Sequence, residues 1–312
     1  MIGARGILLG VGSLAIVAGS YWLAYSDAGR PADEAPDAAP DSASSPRAAS
    51  DPKLREACRQ RGNELAETFP PGTPVLVRPP FVLAGDVGRE RLDRLHRELV
   101  VPVSRALHTC YFDRRPSEPV TILVFAGERT YQEAARRLDG RARAWYSGYY
   151  QRDGRRIMVN LASGEGTLAH ELTHALAHVD CSGLPQWFDE GLASLHEACR
   201  FSDDGLKLVG HPNWRFSYLA GPLREGRLPT VNTLMALGEI RGEGEAVVYA
   251  QARYFCLYLQ HRGLLTHFYR KLKGTVARDP TGRAALRDLL HADSLDGVDR
   301  DFRRWLQRQP QR

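Results

Sequence analysis

His170-Glu171-Leu172-Thr173-His174, followed by Leu184-Pro185-Gln186-Trp187-Phe188-Asp189-Glu190-Gly191-Leu192-Ala193-Ser194-Leu195, is the stretch from which the rest of the chain is read. Leu168, Leu172, Ala175, Leu176 and Val179 fall on one stripe at helical spacing, so the first segment reads as a helix. On a helical wheel His170 and His174 project away from that stripe. A core histidine would point with the leucines, so this orientation predicts a pair facing a cleft. Four residues apart on a helix means side chains about 6 Å apart on one face, close enough to offer two imidazole nitrogens to a single ion. Gly183 suits the end of a connection and Pro185 the first position of a new helix. Two helices joined by this short turn bring Glu190, sixteen residues after His174, back over the histidines. Two His and one Glu with a fourth position left for water is the donor set of a catalytic zinc, whereas structural zinc is closed by four protein ligands.

Other residues compete for these roles. His178 continues the row of histidines but lies about 12 Å along the helix from His170, which suits a surface or supporting residue better than a ligand. Asp189 and Glu197 are rival acidic ligands on the second helix. Glu197 shares a face with Glu190 seven residues on, and reads as support for a histidine or as a solvated charge. The plain alternative for His170 and His174 is a surface helix with two solvated histidines, which leaves the Trp-Phe-Asp-Glu-Gly segment unexplained.

With these residues in view, the two segments resemble the gluzincin group of metallopeptidases, in which HExxH is followed on the next helix by a Glu ligand. Within it they are most similar to the peptidase-MA-like domains of uncharacterised bacterial proteins, with a HELTHAL-like helix and an LPxWxxEGLA-like one. The resemblance extends loosely over residues 72–306, including Tyr249-Ala250-Gln251-Ala252-Arg253-Tyr254. It implies Zn2+ on His170, His174 and Glu190, Glu171 as general base on a zinc-bound water, and peptide-bond hydrolysis of a peptide or protein substrate. It also implies an oxyanion donor downstream of the Glu ligand. Tyr249 is the first candidate, with Tyr254 and His211 behind it.

The predicted fold class is α+β and zincin-like: a mixed sheet with the active-site helix, then a mainly helical C-terminal lobe. Val75-Leu76-Val77 and Phe81-Val82-Leu83 read as strands interrupted by Pro79-Pro80. Residues 88–111 carry a helical stripe through Leu92, Leu95, Leu99 and Val103. Val120-Thr121-Ile122-Leu123-Val124-Phe125 is nearly continuous and therefore central. A charged helix over 128–139 follows, then two strands flanking Asp153-Gly154, a hairpin signal. A hairpin just before the zinc helix offers an edge strand to which an extended peptide can pair. Tyr146, Tyr149 and Tyr150 either line the cleft or pack the sheet. Helices are expected over 246–261, 264–273, 281–291 and 298–307. The domain of residues 53–312 thus divides into a sheet-containing lobe at about 72–180 and a helical lobe at about 181–310.

The 312 residues, 43% apolar, suffice for a sizeable core. A net charge of +5 arises from 38 Arg and 4 Lys scattered along the chain, without a basic run carrying aromatics, so no nucleic-acid partner is expected. Residues 1–26 form a membrane anchor or signal segment: Arg5 precedes an almost uncharged run over 7–25, near bilayer-spanning length. Ala24-Tyr25-Ser26 offers a cleavage site. The charge bias sets the N-terminus in the cytoplasm and the catalytic domain outside it, as a single-pass protein of a bacterial inner membrane or, if cleaved, a periplasmic one. Residues 27–52, rich in Ala, Pro, Ser and Asp, read as a flexible linker. Cysteines 58, 110, 181, 199 and 256 permit Cys181–Cys199 and Cys58–Cys110 bridges in an exported chain, or are small buried apolar residues. The alternative to an enzyme is a membrane-tethered peptide-binding or scaffold module with a retained, non-catalytic metal site.

Overall fold

A computed structural model describes residues 51–140, 146–240 and 244–309. The membrane segment and nearly all of the linker expected from the sequence lie outside the described residues, within which no helix is long and apolar enough to cross a membrane. The first element is a helix the sequence reading did not anticipate, α1 (Pro52–Thr68), started by Asp51, whose carboxylate accepts from the Lys53 amide at 2.9 Å.

The sheet has five strands in the order β1-β2-β3-β5-β4: β1 (Val75–Arg78), β2 (Phe81–Gly85), β3 (Val120–Phe125), β4 (Gly148–Gln151) and β5 (Arg156–Asn160). β2, β3 and β5 are parallel, and β1 and β4 close the two edges in antiparallel pairing. Every residue of β3 is buried, as a strand covered on both faces must be. Alternation then sorts the side chains. Val82, Ala84, Leu123, Phe125 and Met158 face α1 and α4 (Glu128–Asp139). Phe81, Leu83, Ile122, Val124, Ile157 and Val159 face the larger core, which continues into the C-terminal helices.

Between β2 and β3 run α2 (Arg89–Leu95), a π-helical turn (His96–Val100) and α3 (Val101–Cys110). The β4–β5 connection differs from a two-residue Asp-Gly turn. Residues 152–155 form the turn, the Gly154 amide donates to the Gln151 side chain at 2.9 Å, and the left-handed position falls on Arg155, φ 43°. The following α5 (Gly166–Asp180) is the histidine helix, and α6 (Gln186–Glu197) crosses back over it. The rest is mainly helical: α7 (Phe216–Arg224), α8 (Val231–Ala236), α9 (Glu245–His261), α10 (Leu265–Thr275), α11 (Arg283–Leu290) and α12 (Leu295–Gln307). The sequence reading missed α7, α8 and a small hairpin of β6 (Cys199–Phe201) and β7 (Leu208–Gly210). The architecture is α+β as expected, a mixed sheet followed by a helical region.

Of the two readings left open for the cysteines, neither bridge forms: all five are free thiols. Cys58 sits in the cluster on the α1 side of the sheet and Cys110 packs against the core on the other side, so the strand layer separates them. Cys199 spends its thiol on the His196 carbonyl at 3.1 Å. Burial pushes the thiols up, Cys58 to about 11 and Cys199 to about 12, as for small apolar core residues.

Candidate metal centre

Trp187 and Phe188 fix how α6 meets α5. Both are fully buried against Phe268, and the Trp187 indole donates to the Thr281 carbonyl at 3.0 Å. With that face of the helix anchored in the helical core, the neighbouring Asp189 and Glu190 turn to the histidines of α5. The turn is fixed at Pro185, whose carbonyl accepts the amides of Phe188 at 2.9 Å and Asp189 at 3.0 Å. The histidine face of α5 is therefore less open than the wheel implied. His174 is 7% exposed and Glu171 6%, because α6 covers that side.

Nε2 of His170 and Nε2 of His174 are 3.1 Å apart, and Oε2 of Glu190 lies 3.6 Å from the first and 3.4 Å from the second. Ligands bonded at about 2.0–2.1 Å at the corners of a tetrahedron are about 3.3–3.4 Å from one another. The three atoms thus have the spacing of one face of a tetrahedral site. Two imidazole nitrogens at such a separation share either a proton or a cation. This donor set fits zinc, or another divalent ion that accepts two imidazoles and a carboxylate.

The chain matches no known family model and no characterised protein. Asp189 is not beside Glu190 as a further ligand of the same triangle. Its Oδ1 is 3.1 Å from Nδ1 of His174, in ion-pair range though not aligned for a straight hydrogen bond, and its Oδ2 accepts from Nε2 of His178 at 2.7 Å. His174, His178 and Asp189 thus form a second group whose ligand atoms lie within 4.8 Å of one another, and the His178 ring meets that of Tyr150 at 5.4 Å. Without an ion, burial pulls His174 toward the neutral form, but the Asp189 and Glu190 carboxylates outweigh it and hold its pKa well above the ordinary value. Burial likewise raises Glu190, while the two histidines lower it further, to about 2. Glu171 is the exception among the acids: burial dominates and pushes its pKa up.

Of the three candidate hydroxyl or imidazole donors, only Tyr249 reaches this group. Burial, and after it the charge of the Glu190 carboxylate, push the pKa of its hydroxyl far up. Tyr254 is fully buried, donates to the Asn213 carbonyl at 2.9 Å and accepts from the Asn213 amide at 3.0 Å. His211 lines a hollow of about 610 Å³ with Arg200, His261 and Trp305, none of which belongs to the metal group. Glu197 does not support a histidine by hydrogen bonding: it accepts from Arg215 Nε at 3.2 Å and Nη2 at 2.6 Å. Arg215 is the residue the sequence reading missed, eighteen positions downstream and signalled by nothing in the local pattern. Of the tyrosines before α5, Tyr149 packs on the far face of the sheet and bonds Asp139, whereas Tyr150 lies on the metal side.

β4 runs along α5, where a Cβ on Gly148 would come within 2.6 Å of the Thr167 methyl. The Asn160 amide donates to the Ser147 carbonyl at 2.8 Å, and the register pairs Tyr149 with Met158 and Gln151 with Arg156. Residues 147, 149 and 151 therefore turn their backbone groups to β5. Gly148 and Tyr150 turn theirs to the outer edge, which no strand covers among the described residues.

Proposed function

We propose that this protein is a zinc-dependent peptidase that hydrolyses peptide bonds outside the cytoplasm, tethered by its N-terminal segment. The observation that carries the reading is the triangle of His170 Nε2, His174 Nε2 and Glu190 Oε2 at tetrahedral spacing, with the buried carboxyl of Glu171 on the same helix. His170, His174 and Glu190 would hold the zinc ion, which when bound would lower the pKa of a water molecule and polarise a carbonyl group. Glu171 takes the proton of the attacking water and passes it to the leaving amine. The burial that raises its pKa brings it nearer neutrality, where a group accepts and releases a proton with least cost. Tyr249, whose hydroxyl lies within reach of the Glu190 charge, donates to the developing oxyanion. The outer edge of β4 at Gly148 and Tyr150 pairs with an extended substrate backbone, which favours a peptide over a compact small molecule.

The test is zinc content and cleavage of a peptide library by the full-length protein and its Glu171→Gln variant. The parent should hold about one zinc per chain and cleave, and Glu171→Gln should hold the zinc without cleaving. Zinc bound by a parent that turns nothing over supports the tethered binding module instead. No zinc at all removes both readings.

A further inference from the structure

Asp189 spends each carboxylate oxygen on a different histidine of α5, Oδ1 on His174 at 3.1 Å and Oδ2 on His178 at 2.7 Å. His178 lies outside the HExxH pattern, two helical turns from His170, and its Nε2 is taken up by Asp189, so it is not a ligand of the His170–His174–Glu190 group. It is held from the other side: the Tyr150 ring packs on it at 5.4 Å and its side chain is 16% exposed.

An aspartate on the first turn of α6 has free rotation about two bonds unless something occupies both oxygens. A carboxylate oxygen 3.1 Å from Nδ1 of His174 favours the tautomer with its proton on Nδ1, which leaves the Nε2 lone pair facing His170 and Glu190. A straight hydrogen bond from His178 is therefore the fixed end of a chain of contacts whose other end is a metal-facing nitrogen. We propose that His178 is a positioning residue for the metal, acting through Asp189 on the orientation of His174. The inference rests on the metal-centre reading above.

The experiment measures zinc affinity of the full-length protein by competition with a chromophoric chelator, with Zn2+ as probe. His178→Ala should weaken zinc binding about 10–100-fold. His178→Gln places an amide N–H where the imidazole Nε2–H was, and should recover most of the loss. In an Asp189→Ala background, His178→Ala should add little further weakening, because the route runs through that carboxylate. Unfolding of the zinc-free proteins, followed by circular dichroism, identifies a variant that has lost its fold; His178→Gln and Asp189→Ala then carry the test. Zinc affinity unchanged in His178→Ala overturns the proposal, as does a penalty that persists in full without Asp189, or a Gln variant no better than Ala. A parent that binds no zinc fails before any variant is compared, and then the metal-centre reading falls with it.

Discussion

The hydroxyl of Tyr249 lies close enough to the carboxylate of Glu190, the residue that α6 contributes to the two histidines of α5, for that charge to raise its pKa. The contact joins the start of α9 to the metal group and places a donor at its margin. Tyr249→Phe removes the donor while leaving ring and ligands in place. Expected is a fall in kcat of about 10²–10³-fold, the cost of losing one oxyanion donor, with KM and zinc stoichiometry close to the parent. Steady-state kinetics with metal analysis decides: unchanged kcat takes Tyr249 out of the chemistry.

A metal bound by His170, His174 and Glu190 would also link two helices mechanically, since the histidines come from α5 and Glu190 from α6. An ion that binds only the folded chain stabilises it by mass action, about 2.7 kcal/mol at a free concentration a hundred times Kd. Chelation should therefore lower the Tm of the parent, and excess Zn2+ should restore it. His170→Ala and Glu190→Ala should show no such response in the same melts. A Tm indifferent to chelator in the parent would count against a metal centre.

His196 predicts a distinct acid sensitivity. It is completely buried, its Nδ1 is 3.4 Å from the Thr173 hydroxyl and its Nε2 has no hydrogen-bond partner. Burial, helped by the Arg253 and His170 charges, lowers its pKa from 6.5 to about 3. Between those values the unfolded chain takes up a proton that the folded chain refuses, so stability is lost as pH falls from 6.5 toward 3, by at most about 1.4 kcal/mol per pH unit. Above 6.5 the term vanishes. His196→Leu should flatten the dependence of the urea midpoint on pH across this window. Equal slopes for parent and variant would refute the assignment.

Much of this centre was legible because its chemistry is local. Histidines four apart need only a helix, and Glu190 needs only a turn. The continuous Val120–Phe125 run announced its central place because burial on both faces leaves no room for polar alternation. What escaped was decided by long-range packing. Glu197 shares a helical face with Glu190, yet a guanidinium from the α7 entry claims it. The pairing of Cys58 with Cys110 looked natural along the chain, but spacing does not say which face of a sheet a residue takes. β6 and β7 have three residues each, too few for a period to register. α1 was hidden by its position after a low-complexity stretch and by an apolar stripe reduced to Leu54, Cys58 and Leu65.

Gly191, immediately after the proposed ligand, shows the same dependence on packing and gives a sharp test of it. A Cβ there would stand 2.7 Å from the Ala252 carbonyl oxygen and 2.8 Å from the Cys256 sulfur, both on α9. Neither atom can yield easily: one is helix backbone and the other is a buried thiol. Gly191→Ala must push α6 away from α9, at a cost of about 1–3 kcal/mol for overpacking. Alanine's better helix propensity, worth about 1 kcal/mol, offsets part of this. Gly274→Ala in α10 supplies the control, since a Cβ there meets nothing within 4 Å. It should leave stability unchanged or raise it by a fraction of 1 kcal/mol or so. Urea unfolding should therefore show Gly191→Ala to be less stable than the control. Gly191→Ala should also weaken zinc binding, because displacing α6 carries Glu190 away from the two histidines. A Gly191→Ala protein as stable as the Gly274→Ala control would mean that this helix crossing does not set the height of Glu190 over α5.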